Sequence, residues 1–189
     1  MIDAALSQIT RQLNQHLRQR FQLSEVLAVL SNLHEQNGTA VPIVANKLVL
    51  FLAGVERDTM AHRSSGMRSP NPELRTQEPV FLNLLMMCAA NFSGTNYPEA
   101  LKVLSGAIGF FQATPVIDHH NAPLLDERLE RLILNIENLS SSEMHSLWGI
   151  HSGRYLPSVL YRVRMVSVDD QQISGRDTPV RQADLRGLS

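Results

Sequence analysis

Hydrophobic residues recur at every third or fourth position across residues 2–21, which is the period of an α-helix with one buried side. Glutamine and arginine occupy half of the other positions. The apolar stripe consists of Ile2, Leu6, Ile9, Leu13, Leu17 and Phe21. The pattern predicts a long amphipathic helix at the start of the chain.

β-Strands are predicted in six segments: residues 25–30, 46–55, 80–90, 114–117, 131–139 and 157–169. The second is almost entirely apolar, which predicts a strand covered on both faces. The last alternates, so that Tyr161 and Val163 lie on one face while Arg162 and Arg164 lie on the other. We therefore expect one face of the last strand to be polar.

Two further helices are predicted, over residues 97–112 and from Ser140 to about 151. Asn96 precedes the first and is expected to cap it. Several strands follow one another through loops, which favours antiparallel pairing. We predict a single α+β domain with a mostly antiparallel sheet, a long N-terminal helix, one central helix and one short helix.

Two regions lack periodicity. Residues 57–79 are rich in proline and serine, and loops of this length inside a domain are commonly binding loops or disordered. This segment carries four arginines: Arg57, Arg63, Arg68 and Arg75. Beyond residue 170 the chain is polar, which predicts a domain over 1–170 and a flexible C-terminal tail over 171–189.

Composition excludes several classes of protein. The 189 residues include 17 basic and 18 acidic side chains, so no net field attracts nucleic acid. The longest apolar runs are much shorter than the roughly 20 residues of a membrane-spanning helix. The N-terminus lacks the basic segment and following apolar segment of secretory signals, so we expect a soluble protein made inside the cell.

No catalytic, cofactor-binding or metal-binding constellation emerges. His119 and His120 are neighbours, and neighbouring side chains in extended chain point in opposite directions, which disfavours a shared metal. Cys88 lies among apolar residues, where a thiol is inert. The chain has no Gly-x-Ser-x-Gly elbow and no glycine-rich phosphate loop.

Protein interfaces are the remaining candidates for function. Trp148 and Tyr155 are residue types that anchor interfaces, although core packing is an equal alternative for Trp148. Arg162 and Arg164 on the last strand, together with the four arginines of residues 57–79, complete the candidate interface residues.

Seven segments in this order and spacing resemble a known family. They are residues 1–6, 80–85, 89–92, 97–101, 109–112, 147–149 and 155–165. Together they are similar to the N-terminal domain of the tail-terminator, or cap, proteins of extracellular contractile injection systems of the virulence-cassette and antifeeding-prophage type. The resemblance covers residues 1–168.

The resemblance implies a fold like that of phage tail terminators. It also implies a homohexameric ring that contacts the sheath and tube proteins, ends their polymerisation and joins the last sheath ring to the last tube ring, with no enzyme activity and no cofactor. The particle would assemble in the producing cell and be available for release. Two alternatives stay open: another ring or adaptor component of the same particle, such as a baseplate or collar protein, and a small α+β enzyme or ligand-binding domain.

Overall fold

A computed structural model shows that a long helix and a central sheet organise the chain. It describes residues 1–35, 37–58, 74–76, 81–150, 154–167 and 173–176, with the backbone alone for 74–76, 167 and 173–176. In chain order the helices and strands are α1 (Ile2–Phe21), β1 (Ala28–Leu30), β2 (Lys47–Arg57), β3 (Leu74–Thr76), β4 (Leu82–Asn91), α2 (Tyr97–Ala113), β5 (Val116–Asp118), β6 (Leu129–Glu137), α3 (Ser141–Ile150), β7 (Ser158–Ser167) and β8 (Ile173–Arg176).

Six strands form one sheet in the order β1-β2-β4-β7-β6-β5. All neighbouring pairs are antiparallel except β1 and β2, which run parallel through Ala28–Leu30 and residues 48–50. The predicted single α+β domain with a mostly antiparallel sheet and three helices is confirmed for the described residues. The predicted N-terminal helix has the bounds that its apolar stripe indicates.

Helices α1 and α2 cover one face of the sheet, which we call the helix face. The apolar stripe of α1 packs there against β2, β4, β6 and β7, and its Leu13 and Leu17 are fully buried. Val163 of β7 and Leu84 of β4 meet it from the sheet side. This is the larger of the two apolar clusters, and it follows directly from the period of each element.

The two edges of the sheet are both tied to α1. Asn14 accepts hydrogen bonds from the backbone nitrogens of Leu27 and Ala28 and donates one to the Ala28 carbonyl oxygen, at 3.0, 2.8 and 2.5 Å. On the other side, Gln12 donates to the carbonyl oxygen of Asn121 in the loop after β5, at 2.8 Å. The sheet is therefore curled around α1, and Asn14 blocks the outer edge of β1, an edge that would otherwise be open to pairing.

The opposite face of the sheet, which we call the outer face, has an apolar half and a charged half. Over its first half, helix α3 buries Trp148 against Val49, Phe51, Met87 and Leu160. A capping box starts α3, because the Ser140 nitrogen donates to the Glu143 carboxylate while the Ser140 hydroxyl oxygen accepts from the Glu143 nitrogen, at 2.8 and 3.3 Å. The predicted start of this helix is confirmed.

Two local predictions are wrong. Strand β2 is buried on both faces only through Phe51, whereas Leu52 and Val55 on its helix face are exposed, because β1 pairs only as far as Leu50 and the main apolar cluster takes no residue of β2 beyond Leu50. Asn96 makes no side-chain hydrogen bond as a cap, since a short 3-10 turn (Gly94–Asn96) leads directly into α2.

Residues 74–76 and 173–176 form a separate two-stranded antiparallel sheet, in which Leu74 pairs with Arg176 and Thr76 with Ile173. The regions 57–79 and 171–189, which lack sequence periodicity, therefore meet as backbone strands β3 and β8. The domain boundary at residue 170 stays a prediction.

Candidate interaction surfaces

Beyond α3, the outer face carries a network of charged side chains centred on Arg162 of β7. Its Nε donates to Glu137 of β6 at 2.7 Å, and its terminal nitrogen pairs with Glu56 of β2. Leu85 of β4 lies between Arg162 and Gly54 in the strand register, and its side chain packs where a Cβ of Gly54 would lie. One guanidinium thus connects strands β6 and β2 across the width of the sheet.

Arg164 makes the third ion pair of this network. Its Nε lies 2.5 Å from a carboxylate oxygen of Asp58, a side chain that is only 4% exposed. Asn83 lies directly opposite Arg164 on β4 and is also buried. Burial of a carboxylate is tolerated when a cation lies this close, because the pair compensates for the lost hydration.

The electrostatics follow from these contacts. Hydrogen bonds from Arg162 hold the pKa of the Glu137 carboxyl below its usual range, and the two carboxylates raise the pKa of Arg162. Both arginines were predicted to be candidate interface residues on a polar face of β7. The structure places them on that face, where three carboxylates of the same chain neutralise them.

The aromatic candidates are neighbours in space. Trp148 and Tyr155 meet edge to face with ring centroids 5.8 Å apart. Trp148 is 3% exposed and belongs to the core under α3, whereas Tyr155 is 62% exposed. With Met144 and His145 they line a groove of about 340 Å³. Of the two aromatic side chains, Tyr155 is the one that a partner could contact.

The arginines of residues 57–79 are largely beyond what the structure describes. Arg57 ends β2 and is exposed, on the helix face of the sheet. Arg75 lies in β3, of which only the backbone is described, and Arg63 and Arg68 lie outside the described residues. Their assignment as interface residues stays a prediction.

A basic groove on α1 was missed by the sequence reasoning. Its lining residues are Arg11, Asn14, Gln15, Arg18, Gln19 and Val26, and it encloses about 450 Å³. The signal was present in the sequence: no acidic residue occurs between Asp3 and Glu25, while arginine occurs three times. It was overlooked because the polar side of an amphipathic helix is usually only a solvated surface.

Two titratable side chains, Cys88 and Tyr161, lie in the apolar core. Burial raises the pKa of the Cys88 thiol to about 12, and the predicted position of Cys88 among buried apolar residues is confirmed. Burial also raises the pKa of Tyr161, whose ring packs 4.7 Å from that of Phe111. His119 hydrogen-bonds the Leu129 carbonyl oxygen at 2.8 Å, and the described residues contain no cluster of three metal-ligating side chains.

Among the residues that the structure describes, no helix is long and apolar enough to cross a membrane.

The fold is similar to those of two solved structures. It is similar to that of a sheath/tube terminator of an extracellular contractile injection system, seen by cryo-electron microscopy in its extended state, with a TM-score of 0.57 and 12% identity over 100% of this chain and 64% of that one. It is also similar to the tube-terminating cap of the anti-feeding prophage, with a TM-score of 0.51 and 14% identity over 92% of this chain and 58% of that one. The chain thus spans less than two thirds of the length of either protein.

Residues 5–182 match the Pvc16 N-terminal domain family. The chain belongs to that family, and the resemblance inferred from its sequence motifs is confirmed. The match extends past residue 170 and includes β8. No curated protein matches the chain.

Proposed function

We propose that this protein is a structural terminator of a contractile injection particle, forming a homohexameric ring that ends sheath and tube polymerisation and joins their last rings. The observation that carries the proposal is the family match over residues 5–182, together with the fold shared with two terminator proteins. The protein would be made in the cytoplasm and act there without enzyme activity or a cofactor.

The surface chemistry supports an assembly role. Ion pairs within the chain neutralise Arg162 and Arg164, so the outer face presents a rigid, polar surface. At the other half of that face, Tyr155 stands exposed beside the buried Trp148. Exposed aromatic side chains supported by a rigid core are the usual anchors of protein interfaces.

The loop arginines add a further part to the proposal. Arg63, Arg68 and Arg75 would pair with carboxylates of a neighbouring subunit or of the sheath, because arginine binds carboxylates through two parallel hydrogen bonds. We expect the combined variant Arg63→Ala, Arg68→Ala and Arg75→Ala to keep the monomer's melting temperature and to weaken capping. Normal capping at physiological salt would refute the role of this loop.

Gold labelling of an affinity-tagged chain in purified particles tests the terminator role. We expect a single label at the end of the particle that lies opposite the baseplate. A label at the baseplate end would favour the adaptor alternative instead, and a label along the whole sheath would contradict both. Untagged particles provide the control for non-specific gold.

A further inference from the structure

The basic groove on α1 presents two guanidinium groups without a carboxylate partner among the described residues. Arg11 and Arg18 are seven residues apart on one side of the helix, which places them two turns or about 10 Å apart. Arg18 donates to the backbone carbonyl oxygen of Glu25 at 3.1 Å, and the Glu25 carboxylate pairs with Lys47 instead. The groove therefore retains its positive charge.

An acidic loop follows β5. Residues 118–131 hold four carboxylates against two arginines. Arg128 is fully engaged by Asp126 through bonds of 2.9 and 2.6 Å, and Arg131 pairs with Glu130 at 3.0 Å. Glu127 is exposed and makes no ion pair within the described chain. The excess negative charge of this loop is consequently turned to solvent.

The groove and the loop flank α1 on opposite sides. Asn14, which lines the groove, reaches toward β1, while Gln12 reaches toward Asn121 at the start of the acidic loop. Two residues along an α-helix differ by about 200° around its axis. Rotation about a ring axis would therefore bring the acidic loop of one copy toward the basic groove of the next, a head-to-tail contact of the kind that closes a ring.

We infer that the basic groove of α1 binds the acidic loop of a second copy of this chain, with Arg11 and Arg18 opposite Glu127 and Glu130, where Glu130 exchanges its half-exposed pair with Arg131 for the contact between copies. This inference rests on the proposed ring and identifies one contact that closes it. A hydrogen bond from the Leu129 nitrogen to the Asp126 carbonyl oxygen closes a turn, so the step from Glu127 to Glu130 is shorter than the roughly 10 Å of three extended residues. Two long arginine side chains about 10 Å apart along α1 can reach both carboxylates. Val26 provides an apolar wall to the groove.

Charge reversal with restoration tests the contact in assembled particles. The variants are Arg11→Glu with Arg18→Glu, Glu127→Arg with Glu130→Arg, and all four substitutions together. We expect each two-site variant to lower the amount of this chain retained in purified particles by about tenfold, the size of two exposed ion pairs lost at each contact. The four-site variant should recover retention, because the charges are exchanged but remain complementary.

Controls separate folding from contact. Arg20→Glu makes the same change at an exposed arginine of α1 that lies outside the groove, and should leave retention unchanged. If the double glutamate variant melts at a lower temperature, Arg11→Gln with Arg18→Gln replaces it. Wild-type retention of either two-site variant, or no recovery in a four-site variant that melts like wild type, would overturn the inference. Absence of the wild-type chain from particles would instead contradict the proposed function, and the inference with it.

Discussion

The two faces of the sheet stabilise the protein in different ways. On the helix face, α1 and α2 pack apolar side chains against four strands in one continuous cluster. On the outer face, only the half under α3 is apolar, and the other half is held by ion pairs of Arg162 and Arg164. Apolar burial supplies most of the stability of a domain, whereas partly exposed ion pairs contribute little.

The two faces therefore contribute differently to stability and to the exposed surface. The helix face carries most of the apolar burial, and its exposed side chains are those on the outward side of α1 and at the end of β2. The charged half of the outer face contributes little stability but fixes the orientation of its side chains. Changes in either apolar cluster should therefore alter melting, and changes of the exposed carboxylates on the charged half of the outer face should have little effect on melting.

The largest effect should come from the centre of the helix face. Leu13→Ala removes a fully buried side chain from the main cluster, and we expect the free energy of unfolding to fall by about 3 kcal/mol. Urea denaturation followed by circular dichroism measures this loss. Leu124→Ala is the matched control, since Leu124 is 75% exposed and its truncation should change stability by less than about 0.5 kcal/mol. Equal losses of unfolding free energy in the two variants would contradict the assignment of the main core to the helix face.

The contact between the two helices should give the next largest effect. A Cβ at Gly106 would lie 3.1 Å from Leu17 and 3.3 Å from Phe21, so Gly106→Val must push α1 and α2 apart at a cost of about 1–3 kcal/mol. At Gly109 in the same helix a Cβ meets no atom within 4 Å, and Gly109→Ala should stabilise by about 0.5–1 kcal/mol. Differential scanning calorimetry distinguishes the two signs, and destabilisation by both would contradict this packing.

A smaller effect, dependent on pH, should arise on the outer face. Arg162 lowers the folded-state pKa of Glu137, so this group stabilises the protein above its unfolded pKa and loses that contribution as pH falls through the folded value. Because Glu137 is about one third exposed, we expect a contribution of less than about 1 kcal/mol.

Melting temperatures between pH 6 and pH 3 measure that contribution. Glu137→Gln should show a shallower acid loss than wild type, while Glu127→Gln, at a carboxylate without an ion pair in the described chain, should follow the wild-type curve. Identical curves for all three proteins would show that the network contributes no pH-dependent stability.

The smallest effect should come from removing residues 171–189. This truncation deletes β8 and its pairing with β3, which together form a separate two-stranded sheet. Isolated two-stranded ribbons are marginally stable, so we expect the melting temperature to change by less than about 2 °C. A drop above about 5 °C would show that the tail is part of the folded domain.

The sequence predicted the elements well where one period dominates. The stripe of α1 and the alternation around Tyr161 and Arg162 predicted both the elements and the faces on which their side chains lie. The prediction that strand β2 is covered along its whole length was wrong, because an apolar run does not show where the elements packed against it end. The parallel pairing of β1 and the edge block by Asn14 depend on contacts between distant residues, which periodicity cannot encode.

The candidate sites were less predictable for the same reason. The sequence identified Arg162 and Arg164 as polar-face residues, but their carboxylate partners lie on β2, after β2 and on β6. Trp148 had two equal interpretations until packing under α3 placed it in the core, next to the exposed Tyr155. The basic groove of α1 has a signal in the sequence, the absence of acidic residues between Asp3 and Glu25, but its wall at Val26 depends on a contact that periodicity cannot encode.

Particle length is the most direct measure of the central claim, that this chain ends a contractile tail. Electron micrographs of sheath–tube particles from a strain lacking the gene should show a broad length distribution extending well beyond the wild-type length. Expression of the wild-type chain from a plasmid should restore uniform particles. A deletion strain that still makes particles of uniform, wild-type length would contradict the terminator role.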